Sequence, residues 1–571
     1  MSTHLNARRA TLALFAAIFI ASTTTGALAQ ATKLGAIEFP TSTSVKEAQG
    51  HFVRGVAALH SFWYEEARDE FRAASRLDPD FMLALWGEAM TFNHPLWAEQ
   101  DLESARAVVK KFRELPKLTT RERAFLSAVR LLYGDGDKPA RDAAYAAAMS
   151  KVSRDYPEDL EAASFYALSL LGTVRPGDAG FARQMKAGAI ALDVYRKNPE
   201  HPGAAHYIIH AFDDPEHAIL ALPAARRYAE IAPSAHHARH MPAHIFLQLG
   251  MWDEAAASNE SAWKTSTDWV ERKKLSMALR DYHSLHWLTY VYLQQGRFDE
   301  AAKLLALKEQ EMAASNYDAA VARSYGETAA AFVVETQRWD KAAALLATLD
   351  KTKKSASPYA AAPADSCHAG ATPAAAAAAA APKPMVSARD EMSGRVTPLH
   401  FRGLVAAYTN DAATAGQSVA ALRAMREQYA GRPLGKRIEI KELEIGAVLG
   451  ASQGKLDEAV EMMKRATKLE EELSPPSGPP DLIKPTHELF GEILLRAKRP
   501  REAAAQFATA LARQPNRARS LLGAARAARE SGDQRGALNA YNDLLKVWQR
   551  ADSQLAEVRE ALGFVEQAAQ R

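Results

Sequence analysis

Small and aromatic residues recur along this chain in a fixed order, set between polar stretches. Near the amino terminus the order runs Gly55, Tyr64, Ala67, Phe71, Ala74 and then Asp78-Pro79. Towards the carboxyl terminus Pro500, Ala503, Phe507, Ala510, Leu511 and Pro515 are followed by Ala537, Tyr541, Leu544 and Leu545. Ala503 lies 34 residues before Ala537, and Phe507 lies 34 before Tyr541. The order predicts paired helices. Alanines let two helices approach closely, the aromatic ring fills the gap, and proline ends the helix and opens the next turn. A second pattern, Gly-x-aromatic-acidic-x-Ala, marks the turn within a pair. It stands at Gly250 to Ala255 and Gly296 to Ala301, at Gly454 to Ala459 with Leu456 in the aromatic place, and in degraded form at Gln337 to Ala342. Glycine there ends one helix and the acidic residues open the next. Ala255 to Ala301 is 46 residues and Ala301 to Ala342 is 41, so these units need longer helices or loops.

A recurring helix-turn-helix unit of 34 residues with this small-aromatic-proline order resembles the tetratricopeptide repeat (TPR) family. The resemblance covers most of residues 46–350 and 391–550. It implies an all-α fold, an α-solenoid of TPR-like helix pairs. Between Lys353 and Arg389 the pattern stops, and the chain carries repeated prolines and an eight-alanine run at 374–381. Such low complexity predicts a linker or surface loop. The expected organisation is therefore a solenoid over 46–352, a linker over 353–390, further repeats over 391–551 and a helical tail over 552–571. A second, shorter break rich in Pro and Gly runs from Ser474 to Lys484.

Composition narrows the function. Across 571 residues, 71 Lys and Arg nearly balance 68 Asp and Glu. That balance argues against a nucleic-acid partner. A single cysteine, Cys367, excludes an internal disulfide framework and any multi-thiolate metal site. At the amino terminus Arg8-Arg9, an apolar run from Ala10 to Ala21 and Ala27-Leu28-Ala29 have the layout of a cleaved secretory signal over residues 1–29. Twelve apolar residues are too few to span a bilayer as a helix. The mature chain is expected to be periplasmic or secreted, without a stable membrane anchor. The phosphate-binding Gly-rich loop and the HExxH pair are missing from the sequence, and its G-x-S-x-G string, Gly450 to Gly454, runs into the repeat turn pattern at Gly454 rather than a strand-to-helix elbow, which points away from an enzyme.

Histidine sets this chain apart from a generic repeat array. Eight of 17 histidines fall between His201 and His244. His206 and His210 are four apart and share a helix face, as do His240 and His244. The two pairs are 34 residues apart; His237 to His283 and His240 to His286 are both 46, like Gly250 to Gly296. The histidines thus recur in register with the repeats, within a His-rich segment at 201–290. The TPR resemblance implies that they sit on the first helices of their units and line a concave groove. Three readings fit. In one, the groove presents His206, His210, His237, His240, His244, His283, His286, Trp287 and Tyr290 to a peptide, a protein or a small-molecule ligand. In the second, His206, His210, His240, His244 and His286 hold Zn or Cu, with Asp213, Asp214, Glu216 and His217 close by, in a metal-binding envelope protein or a metal-dependent enzyme. In the third, the imidazoles merely pack between helices. No cofactor beyond such an ion is implied. If the imidazoles meet a ligand, its affinity should change between about pH 5 and 8.

Overall fold

The computed structural model describes residues 33–175, 178, 180–355, 391–473, 478–479 and 484–570. The signal-like residues 1–29, the alanine run and Cys367-His368 lie outside the described residues. The chain is built almost wholly of helices joined in consecutive hairpins. The one departure among the described residues is a two-residue antiparallel pairing of Asn93–His94 with Glu99–Gln100.

The hairpin geometry follows from the repeating small and aromatic residues. Phe71, on the helix Tyr64–Leu77, is fully buried. It wedges between Gly55 on Lys46–His60 and Gly87 on Met82–Met90. A methyl group on Gly55 would come within 2.7 Å of the ring, and one on Gly87 within 2.3 Å. The arrangement repeats near the other end. Phe507 on Pro500–Arg513 lies between Gly491 on Thr486–Arg496 and Gly523 on Ala518–Ser531, with corresponding distances of 2.7 and 2.2 Å. One ring thus joins three successive helices, possible only where the two flanking helices carry no side chain.

The turn pattern also has its expected effect. Gly250 and Gly296 have φ of 64° and 70°, left-handed values that suit glycine. The following amides close the helix ends: Met251 N donates to Phe246 O at 2.7 Å and Arg297 N to Tyr292 O at 2.9 Å. The degraded copy places Gln337 in the same left-handed conformation, φ 55°. The 46-residue spacing arises from a long second helix, Trp252–Lys273, followed by a short turn at Met277–Leu279.

Two long-range contacts position the site. The first helix, Lys46–His60, returns against Pro202–Ala211 several hairpins later, so His60 Nδ1 lies 2.7 Å from the Tyr207 hydroxyl. The carboxyl-terminal repeats dock on the helix Tyr282–Gln294 and the turns beside it. Trp548 Nε1 donates to Gln294 O at 2.9 Å, and Trp252 Nε1 donates to Asn516 O at 2.9 Å. Arg517, fully buried, donates to both oxygens of Glu488 at 2.7 and 3.1 Å, to Glu335 at 2.5 Å and to the Tyr290 hydroxyl at 2.8 Å. A guanidinium suits such a place because its planar fork serves several acceptors at once.

Two substitutions test this packing. Gly523→Ala must displace the Phe507 ring and is expected to destabilise by about 1–3 kcal/mol. Gly416→Ala has nothing within 4 Å on the helix Ala412–Gln428 and is expected to stabilise by about 0.5–1 kcal/mol. Denaturant unfolding monitored by circular dichroism distinguishes them; equal shifts would contradict the wedge. Arg517→Met removes the guanidinium from the buried Glu335 carboxylate and leaves Glu488 with only Ser520 and Lys484; it is expected to cost about 3–5 kcal/mol, read as earlier melting and faster proteolysis of the carboxyl-terminal repeats.

Candidate metal centre

Three consecutive first helices carry the histidines. Pro202–Ala211 begins with proline in its first turn, where no amide partner is lost. His201 caps it, Nδ1 accepting from Ala204 N at 3.1 Å. The next first helix is interrupted: Pro242 divides it into His236–His240 and Pro242–Gln248. The third, Tyr282–Gln294, is capped by Asp281, which accepts from Ser284 N at 3.0 Å.

Stacking these helices gathers six imidazoles into two triads, His206 with His210 and His237, and His240 with His244 and His283. Within each triad the candidate donor atoms lie within 4.8 Å of one another. Each triad takes a pair spaced by four from one helix and a single histidine from the next. In the first, His206 Nε2 is 3.0 Å from His210 Nε2 and 3.1 Å from His237 Nε2. In the second, His240 Nε2 and His244 Nε2 are 3.2 Å apart. Donors bound tetrahedrally at ordinary metal–nitrogen lengths would be about 3.3 Å from each other.

The remaining ring nitrogens decide where the protons sit. His206 Nδ1 is 2.7 Å from the backbone oxygen of His60, which only accepts. His244 Nδ1 is 2.7 Å from the Asp213 carboxylate. His240 Nδ1 is 2.7 Å from Asn259 Oδ1, and Asn259 turns its amide nitrogen to Ala255 O. Assigned from these partners, all three rings carry a proton on Nδ1 and turn Nε2 towards the neighbouring imidazoles. The His240 and His244 Nε2 atoms meet at 3.2 Å. Burial also pushes His206 down to about 3, and burial with His244 alongside pushes His240 down to about 4, so both stay in the neutral form that binds metals.

A further layer supports the triads. Behind His206, the buried Glu161 bridges His60 Nε2 at 2.7 Å and His201 Nε2 at 3.0 Å. Burial opposes its charge, but the two imidazoles hold its carboxyl at about 2. Behind the second triad, buried Asp281 takes a hydrogen bond from His236 at 3.2 Å; against burial, that contact holds it well below the usual carboxylate range. Metal-binding imidazoles are commonly oriented by acceptors of this kind.

The observed residues differ from the expected groove. His206, His237, His240, Trp287 and Tyr290 are buried and present no open wall to a peptide; His210, His244, His283 and His286 are half-buried. Tyr290 belongs to the seam, where it accepts from Arg517. The expected metal set of His206, His210, His240, His244 and His286 is divided between the triads, and His286 stands apart with Nδ1 3.2 Å from Thr328 Oγ1. His237 and His283, expected only as ligand contacts, complete the triads. Asp213 supports His244, whereas Asp214 bonds His217 in its own turn at 2.8 Å. His60, Glu161, Asn259 and Phe62 were not foreseen. The 34-residue step from His60 to His94 hinted at His60 alone, and His94 instead stacks on Tyr64 at 4.2 Å.

No protein-family model matches the sequence, and no curated protein matches it. Solved structures with helical repeats do. A tetratricopeptide repeat protein from Parabacteroides merdae is 13% identical with a TM-score of 0.30, over 58% of this chain and 99% of that one. Yeast Tom70 is 12% identical with a TM-score of 0.33, over 92% and 96%. The human IFIT1 dimer with PPP-AAAA is 12% identical with a TM-score of 0.37, over 89% and 96%. Overlaps this loose carry no functional argument. The chain's own hairpins, with their aromatic wedges and glycine turns, are those of a TPR-like α-solenoid, an architecture consistent with a binding scaffold.

Beside His286, which shares Thr328 with it, Lys308 is fully buried and donates to Ser324 Oγ at 2.8 Å and Thr328 Oγ1 at 2.6 Å. Burial lowers it to about 7, against partial opposition from Glu327, Glu311 and Asp281. An unfolded lysine titrates near ~10.4, so between about pH 7 and 10 the unfolded chain binds more protons and native stability should rise with pH. Lys308→Met removes that slope. Its melting temperature is expected to exceed that of the parent below pH 7, with the difference closing by about pH 10; parallel curves would contradict this.

Proposed function

We propose that this chain is an exported, periplasmic helical-repeat protein that binds transition-metal ions, copper or zinc, through the two histidine triads. The observation that carries the reading is the approach of the His240 and His244 Nε2 atoms to 3.2 Å, with each Nδ1 committed to an acceptor. Two imidazole nitrogens this close need a cation between them, a shared proton or a metal ion, and the third imidazole beside them suits the metal. Neutral imidazole is a good donor for copper and zinc and a poor one for calcium or magnesium. Export follows from the charge, apolar run and A-x-A order at residues 1–29. A peptide, protein or small-molecule ligand would then be met by the surface outside the triads.

Protein purified without a His tag and loaded with Cu or Zn is expected to hold two ions per chain by elemental analysis. His210→Ala, at the half-buried edge of the first triad, should leave about one. His210→Ala with His244→Ala should leave none while circular dichroism stays unchanged. Retention of neither metal by the parent would overturn the proposal.

A further inference from the structure

Both triads share a feature that spacing alone does not show: one aromatic ring touches all three imidazoles. Phe62 has centroid distances of 4.3 Å to His206, 5.8 Å to His210 and 5.6 Å to His237. Trp287 lies 4.8 Å from His240, 4.3 Å from His244 and 5.4 Å from His283. Both rings are buried. Phe62 is not placed cheaply: it has φ 52°, a left-handed conformation that strains a bulky residue, and its ring is held by Tyr64 at 5.6 Å and Trp97 at 5.7 Å. Trp287 packs closely on Gly478, where an added methyl group would fall 2.5 Å from the indole and so only glycine fits. The strain at Phe62 persists where the surroundings enforce it, and here it brings an aromatic ring against the donors.

The donor chemistry points the same way. Each triad offers three imidazole nitrogens and no carboxylate oxygen. The carboxylate nearest the second triad, Asp213, is occupied on the far nitrogen of His244. A divalent ion would meet no anionic donor directly, only carboxylates one imidazole away. The desolvation penalty rises with the square of the charge, so a monovalent ion bears about a quarter of it. A cation beside an aromatic ring also gains from the ring quadrupole, most of all with tryptophan. Copper(I) is monovalent and soft, and as a d¹⁰ ion it accepts three-coordination.

We infer that the triads are copper(I) sites, each bound by three imidazoles, with Phe62 and Trp287 keeping a fourth, water ligand away. The inference rests on the metal-binding proposal and adds the identity and oxidation state of the ion.

The test uses the full mature chain, loaded anaerobically with copper(I) and challenged with zinc(II) and a chromogenic copper(I) chelator. The parent is expected to retain two copper(I) per chain against a tenfold excess of zinc(II), with quenching of tryptophan fluorescence that Trp287→Phe reduces. Ferricyanide, which takes one electron from each copper(I) it oxidises, should leave the parent silent in electron paramagnetic resonance. Phe62→Ala admits water to the first triad and should yield about one copper(II) spin per chain. Phe62→Leu, which keeps the apolar bulk, should behave as the parent and guards against a folding defect. Zinc(II) or copper(II) held as tightly as copper(I) would overturn this inference and leave metal binding intact; retention of no metal would overturn both. A Phe62→Ala variant as resistant to oxidation as the parent would also refute the role given to the ring.

Discussion

The close approach of His240 Nε2 and His244 Nε2 is the constraint to which the rest of the site answers. His240 and His244 point their Nε2 atoms at each other because Asn259 and Asp213 hold the opposite side of each ring. Three layers of structure converge on that arrangement. Helix stacking supplies the imidazoles, the polar layer behind them sets their tautomers, and the rings of Phe62 and Trp287 cover one side of each cluster. An α-solenoid is well suited to this, since each hairpin repeats the position of the last and one pair of ligands becomes two.

The site draws on sequence far from the histidines. His60, at the end of the first helix, gives its backbone oxygen to His206, and its own ring is tied to Glu161. The chain must curl through several hairpins before these groups meet. Buried carboxylates would ordinarily be a liability. Here Glu161 and Asp281 are satisfied by imidazoles, and the negative charge they retain sits one layer behind the triads.

Much of the architecture was legible in the chain. The 34-residue steps, the alanines and Phe71 or Phe507 describe hairpins, and the glycines at 250 and 296 mark where they turn. Less legible were the glycines that receive each ring, Gly55, Gly87, Gly491 and Gly523, because their role lies in what they leave out. Register anticipates that the histidines approach one another, but not how they divide between the two clusters. A pair spaced by four is visible on one helix. Which member of the next helix completes it depends on the tilt between helices and on the break at Pro242, and that choice separates His283 from His286. Burial was hidden for a similar reason. A groove inferred from repeat register has open walls, and the inward curl of Lys46–His60 with the ring of Phe62 fills this one. Phe62 has no sequence signal, since nothing in the residue itself announces a left-handed backbone.

The seam around Arg517 bears on the order in which the molecule matures. Tyr282–Gln294 carries His283 and Trp287, yet its far end is fastened by Ala518, Trp548 and the Arg517 guanidinium bound to Tyr290. More than two hundred residues separate these fasteners from the histidine they steady. The second triad is therefore fully braced only after the last repeats have docked, however complete the earlier hairpins are.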